Sequence, residues 1–149
     1  LAMPGGLVFC VEDRSGAALW SAPGNWDLTL WQQIRFAPAF AGVVGWTRLL
    51  PVLKAVQAVQ RAHPREPHYY LQVLGVDPVK QGRGQGRALL EPMLAKADRQ
   101  QVPVYLETAE PDNLGNYQRF GFEVRQELDL PSGAPHLWTM LRPPSVQPA

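Results

Sequence analysis

The chain has 149 residues, 46% of them hydrophobic and 18% charged, with 14 Lys plus Arg against 13 Asp plus Glu for a formal net charge of +1. That length suits a single domain over residues 1–149; the balance of charge excludes a whole-molecule field that draws it to nucleic acid or anionic lipid, and the apolar content excludes intrinsic disorder. A lone cysteine, Cys10, excludes an internal disulfide and a multi-thiolate metal site and points to a reducing, cytoplasmic setting, and no uncharged run reaches the ~20 apolar residues of a membrane span.

Leu7–Glu12 and Ala17–Ser21 read as two strands joined by the polar turn Asp13-Arg-Ser-Gly16. Cys10 falls in the first, among hydrophobic residues, and is expected in the core. Pro23-Gly24-Asn25 ends the hairpin, and apolar residues at 26, 30, 31 and 34 predict a short amphipathic helix over Trp26–Phe36. Trp20, Trp26 and Trp31 fall within twelve residues, either as core packing or as the wall of an apolar pocket. The helical period then runs from Phe40 to Arg61, with Pro51 as a kink or restart. After the loop His63–Pro67, His68–Val76 reads as a central strand, with His68 at its exposed start.

Gln81-Gly-Arg-Gly-Gln-Gly-Arg87 carries the strongest chemical signal. It lies between that strand and a helix predicted over Arg87–Arg99, whose Pro92 should bend it near the first turn. Glycines at 82, 84 and 86 allow positive φ and remove side chains, so successive N–H groups can converge on an anion at the helix N-terminus. Lys80, Arg83 and Arg87 add positive charge. A dinucleotide fingerprint needs glycine at position 87, where arginine stands, and a Walker A loop needs a Gly-Lys-Ser/Thr ending that is absent, so both nucleotide readings lose ground to another pyrophosphate ligand.

Val102–Thr108 reads as a strand, Pro111-Asp112-Asn113 as a helix start, Leu114–Phe120 as a short helix stopped by Gly121, and Phe122–Leu130 and His136–Leu141 as two strands. Residues 142–149 form a proline-rich tail. The order β, β, α, α, β, α, β, α, β, β implies an α/β fold with a mixed sheet flanked by helices, and its C-terminal strand pair could join a second subunit as a homodimer. His63, His68 and His136 share no ligand spacing, so no metal is expected.

The segment Val76-Asp-Pro-Val-Lys-Gln-Gly-Arg-Gly-Gln-Gly-Arg-Ala-Leu-Leu90 resembles the pyrophosphate-binding motif of the GNAT family of N-acetyltransferases, with Gln81, Gly84 and Gly86 at the motif positions. Val104–Asn113 and Tyr117-Gln-Arg-Phe-Gly-Phe122 resemble the strand and helix that follow in that family, and the three occur in the family's order over about Tyr69–Val124. Within the family the chain is most similar to the puromycin N-acetyltransferase type, through Val11–Pro23, Pro64–Pro67 and Leu106–Leu114.

The resemblance implies a mostly antiparallel central sheet with a V-shaped gap between two strands, and acetyl-CoA as co-substrate on Leu74, Gly75, Val76, Gln81, Gly82, Arg83, Gly84, Gln85, Gly86, Arg87, Asn113 and Tyr117. It implies direct transfer of acetyl to a primary amine of a small molecule. Gly75 suits an irregularity in the strand beside the gap. Tyr117 matches the tyrosine that protonates the departing thiolate, or else merely packs. Glu107 is the candidate base, directly or through water, or else a structural carboxylate paired with an arginine; His68 and Glu66 are weaker candidates. The family's apolar or aromatic residue before the tyrosine is here Asn116. Its first strand and helices, which shape the acceptor pocket, have no counterpart before Leu7. A non-catalytic acyl-CoA sensor or interaction module is the alternative reading.

Overall fold

A computed structural model describes residues 6–25, 46–130 and 135–145. The helix expected over 26–36, with Trp26 and Trp31, and the end of the tail lie outside these residues. Six strands form one sheet: β1 (Gly6–Cys10), β2 (Gly16–Ser21), β3 (Tyr69–Val76), β4 (Val104–Thr108), β5 (Glu123–Leu128) and β6 (Leu137–Arg142), in the order β1-β2-β3-β4-β6-β5. Only β3 and β4 run parallel; the other pairs are antiparallel. Helices α1 (Trp46–Ala62), α2 (Gln85–Gln100) and α3 (Asp112–Gln118) accompany the sheet. The mixed, mostly antiparallel sheet flanked by helices is the expected fold class.

The core forms where one face of the sheet meets α2. Leu89, Leu90, Met93, Leu94 and Ala97 make a helical stripe against Ala18 and Trp20 of β2, Tyr69 and Leu71 of β3, Val104 and Leu106 of β4, and Met140 of β6. Trp20 is therefore core. On β1 only Leu7 and Phe9 pack against this cluster, so the period of two turns Cys10 outward, and it is exposed. Pro51 lies inside α1 without ending it. Because α2 starts at Gln85 and not Arg87, Pro92 stands in its interior rather than near its first turn, on the solvent face.

Two features open a gap in the sheet. The β3–β4 ladder has three rungs, Tyr69↔Val104, Tyr70↔Tyr105 and Leu71↔Leu106, and ends there. Beyond it β3 follows β2 as far as Gly16↔Val76, while β4 follows β6 as far as Thr108↔Trp138. The register of β2 against β3 slips between Leu19 and Trp20, so Gln72 is an extra residue in β3, a bulge placed where the parallel pairing stops. The irregularity expected at Gly75 thus sits three residues earlier, where it turns the strand away from β4.

Candidate active site

The gap opens into a cleft of about 610 Å³ lined by Leu74, Gly75 and Val76 of β3, Gln81, Gly82, Gly84, Gln85, Gly86, Arg87 and Leu90 of the glycine turn and α2, and Asn113, Asn116, Tyr117, Arg119 and Phe120 of and just after α3. All but one of the residues expected to bind the cofactor line this cleft; Arg83 does not. Leu90, Arg119 and Phe120 are additions that sequence reasoning missed. Their signal was helical spacing: Arg119 and Phe120 lie two and three residues after Tyr117, just past α3, and Leu90 lies one turn after Gly86.

The glycine turn is shaped for an anion. Gly82 and Gly84 have φ of 76° and 81°, a region costly for any residue with a Cβ, and Gly84 serves as the N-cap of α2 with no side chain capping the helix. The first N–H groups of α2 thus face the cleft with the positive end of the helix dipole behind them. Gly86, also free to take positive φ, lies instead in the first helical turn. A Cβ at Gly75, Gly82, Gly84 or Gly86 would meet nothing within 4 Å, so each stands beside open space. Gln85 Oε1 is buried without a hydrogen-bond partner among the described residues. Room and uncapped N–H donors together fit a pyrophosphate-bearing ligand. The cationic contribution is smaller than the sequence suggests: Lys80 Nζ donates to Asp13 Oδ2 at 2.8 Å, and Arg87 pairs with Glu91 at 3.6 Å.

Tyr117 is fixed from the far side of α3. Gly121, at φ 86°, reverses the chain so that the Phe122 N–H donates to the Tyr117 carbonyl at 3.3 Å, and the buried Phe122 ring meets the Tyr117 ring edge-on at 5.8 Å. Burial pushes the Tyr117 phenol above the usual tyrosine value, so it stays protonated at neutral pH. Asn113 and Asn116 share the cleft wall with it. The helix start read at Pro111-Asp112-Asn113 is where α3 begins, with Pro111 as its N-cap and Asp112 and Asn113 in its first turn.

Glu107 is one residue past the last β3–β4 rung but outside the cleft lining. It faces the opposite side of the sheet from Leu106, the side of Tyr70 and Tyr105. Tyr70 Oη donates to Glu107 Oε2 at 2.8 Å, and His63 Nδ1 lies 3.3 Å from Oε1, so among the described residues it meets a phenol and an imidazole and pairs with no arginine. His68, expected at the surface, is fully buried beside this group, and its ring nitrogen Nδ1 donates to the Glu66 carbonyl at 2.7 Å. Burial holds the His68 imidazole below the ordinary histidine range and the Tyr70 phenol above the ordinary tyrosine range. Glu66 itself is exposed and pairs with Arg125. The rung Tyr70↔Tyr105 and the period of two would have put Tyr70, Tyr105 and Glu107 on one face. Among the described residues no group of His, Cys, Asp and Glu could hold a metal, and no helix is long and apolar enough to cross a membrane.

A family model described as the acetyltransferase (GNAT) family matches residues 9–122. The chain belongs to this family. An uncharacterized N-acetyltransferase of Schizosaccharomyces pombe is 31% identical over 134 residues, which are 84% of this chain and 54% of the relative. The chain therefore spans about half the length of that curated relative. Two solved structures share the fold. One, described as histone acetyltransferase HPA2 and related acetyltransferase from Corynebacterium glutamicum, has a TM-score of 0.64 at 24% identity, covering 97% of this chain and 68% of its own. The other, Chaetomium thermophilum Naa20 in complex with a bisubstrate analogue, has a TM-score of 0.55 at 16% identity, covering 91% and 64%.

Proposed function

We propose that this GNAT-family chain is an acetyl-CoA-dependent N-acetyltransferase that acetylates a primary amine of a small molecule by direct attack. The observation that carries the reading is the coincidence, in one cleft, of a splayed parallel strand pair, an uncapped glycine turn and a protonated tyrosine. Bound acetyl-CoA would supply a thioester. Leu74–Val76 have lost β4 as a neighbour, so the N–H groups on their gap side are available to polarise the thioester carbonyl. Gln81, Gly82, Gly84, Gln85, Gly86 and Arg87 would hold the pyrophosphate, with Arg83 beside it, and Asn113 would border the pantetheine. Tyr117 would give its proton to the departing sulfur. Glu107 is the candidate acceptor of the amine proton, directly or through water: it follows the last β3–β4 rung by one residue.

The small-molecule acceptor rests on the similarity of Val11–Pro23, Pro64–Pro67 and Leu106–Leu114 to the puromycin N-acetyltransferase type. Short peptides are the comparison set. Thiol release from acetyl-CoA, measured against a panel of aminonucleosides, other small amines and short peptides, tests the reading. Turnover confined to small amines is expected; turnover confined to peptides would overturn the acceptor class, and binding without turnover would favour a sensor.

A further inference from the structure

The glycine turn is held from outside itself. Gly82 and Gly84 make no close side-chain packing, and an ordered glycine segment gives up more backbone freedom than any other. Yet the turn between β1 and β2, some 70 residues away in sequence, touches this region in three places. At its near end the Asp77 N–H donates to the Ser15 carbonyl at 2.7 Å. In the middle Lys80 Nζ donates to Asp13 Oδ2 at 2.8 Å. At its far end, in the first turn of α2, Gln85 Nε2 donates to Ser15 Oγ at 2.6 Å.

That turn is itself stiff. Val11 N–H donates to the Gly16 carbonyl at 3.0 Å, Arg14 N–H to the Val11 carbonyl at 2.9 Å, and both the N–H and the hydroxyl of Ser15 donate to Asp13 Oδ1. It also sits directly on its neighbours: a Cβ at Gly16 would come within 3.1 Å of Leu89 Cδ1 and 3.2 Å of the Gly75 carbonyl. One small strut therefore spans both ends of the segment from Asp77 to Gln85, and Gln85 lines the cleft.

We propose that Asp13 and Ser15 are positioning residues that hold the Gln81–Arg87 turn in its anion-binding shape before the ligand arrives. The proposal rests on reading that turn as the acetyl-CoA site. A preorganised turn binds without first spending free energy on ordering, so losing the strut weakens affinity and leaves the chemical step alone. A purely structural role predicts something else. Lys80 and Asp13 are 36% and 48% exposed, and an ion pair that open to solvent contributes little to stability.

Ser15→Ala and Asp13→Asn are compared with the wild type by calorimetric titration with CoA, by thermal denaturation and by amide hydrogen exchange of the ligand-free protein. Each variant should bind CoA roughly 5- to 20-fold more weakly, within the preorganisation costs of a few ordered residues, with Tm close to wild type for Asp13→Asn. With an amine that the wild type acetylates, KM for acetyl-CoA should rise by the same factor at unchanged kcat. Amides of Gly82–Gly86 should exchange faster in both variants. CoA affinity within twofold of wild type in both variants would overturn the proposal. Should the wild type fail to bind CoA, the functional reading of the turn falls, and the exchange data still decide the bracing: unchanged rates at Gly82–Gly86 would overturn it. Asp13→Asn, at an exposed site, covers the case in which Ser15→Ala does not fold.

Discussion

Leu71 and Leu106 form the last rung of the parallel ladder between β3 and β4. Both side chains are buried in the core under α2, so the rung is pinned on one side while the strands beyond it part, each held by its other neighbour. Beyond this hinge Leu74–Val76 of β3 line the gap, while Glu107, the next residue of β4, turns to the sheet face of Tyr70 and His63. The cleft is thus a consequence of the bulge at Gln72 and of the sheet order, and the proposed chemistry sits at the point of divergence.

Tyr117→Phe removes only the phenolic oxygen and keeps the ring that packs on Phe122. Turnover should fall by roughly 100-fold or more, the size usual for a lost general acid, with CoA affinity within about twofold of wild type. Because burial raises the phenol above the usual ~10, the wild-type rate should decline only on the alkaline side of that value, as the proton is lost. The variant should lack that decline. Equal losses in turnover and affinity would remove the acid role.

Glu107→Gln separates a base from an anchor. As a base, Glu107 matters most where the amine is protonated, so kcat/KM should drop roughly 100-fold near pH 7 and the deficit should shrink as pH rises toward the pKa of the amine. An anchor held by Tyr70 and His63 would instead show a lowered Tm with an unchanged pH–rate profile.

The sequence made the order of elements and the glycine turn legible because both are local: a period of two or 3.6, and a run of glycines between them. It also placed eleven of the expected binding residues in one cleft, counting Leu74, Gly75, Val76, Gln81, Gly82, Gly84, Gln85, Gly86, Arg87, Asn113 and Tyr117. What it hid depends on pairings between distant strands. Cys10 read as core because its strand is apolar throughout, and only the pairing of β1 shows which alternate residues face α2. His68 read as exposed because a strand end usually is, whereas here it is buried with the His63 and Tyr105 rings beside it. Lys80 read as positive charge added to the glycine turn because Asp13, which it pairs with, is far off in sequence.

Arg142 ties β6 to α2 and to the end of α3. Its guanidinium meets Asp98 through two bonds of 2.7 and 2.8 Å and donates to the Phe120 carbonyl at 2.8 Å, and Asp98 also accepts from the Ser145 N–H. Both side chains are largely buried. Arg142→Met leaves Asp98 without its cation and should cost about 3 kcal/mol in urea unfolding, the size seen when one partner of a largely buried pair is removed. Acetyl transfer in the folded variant should be preserved.

Two histidines should give opposite pH signatures in stability. Asp129 and Glu127 raise the His136 pKa, so its contribution is complete below the unfolded value of ~6.5 and is lost as pH rises through the folded value. Burial lowers His68, so stability should fall as pH drops below ~6.5, where the unfolded chain takes up a proton that the folded chain refuses. In urea unfolding at a series of pH values, the deficit of His136→Gln relative to wild type should be largest near pH ~5.5 and vanish in the alkaline range. His68→Gln should flatten the acid slope.

The central claim is that the uncapped glycine turn between β3 and α2 binds the pyrophosphate of CoA. Calorimetric titration of the wild-type chain with CoA tests it most directly. Saturable binding of one CoA per chain with a Kd on the order of micromolar, about −8 kcal/mol, and its loss in Gly84→Val, is the expected result. No binding up to about millimolar CoA by a chain whose circular dichroism shows the fold intact would contradict it.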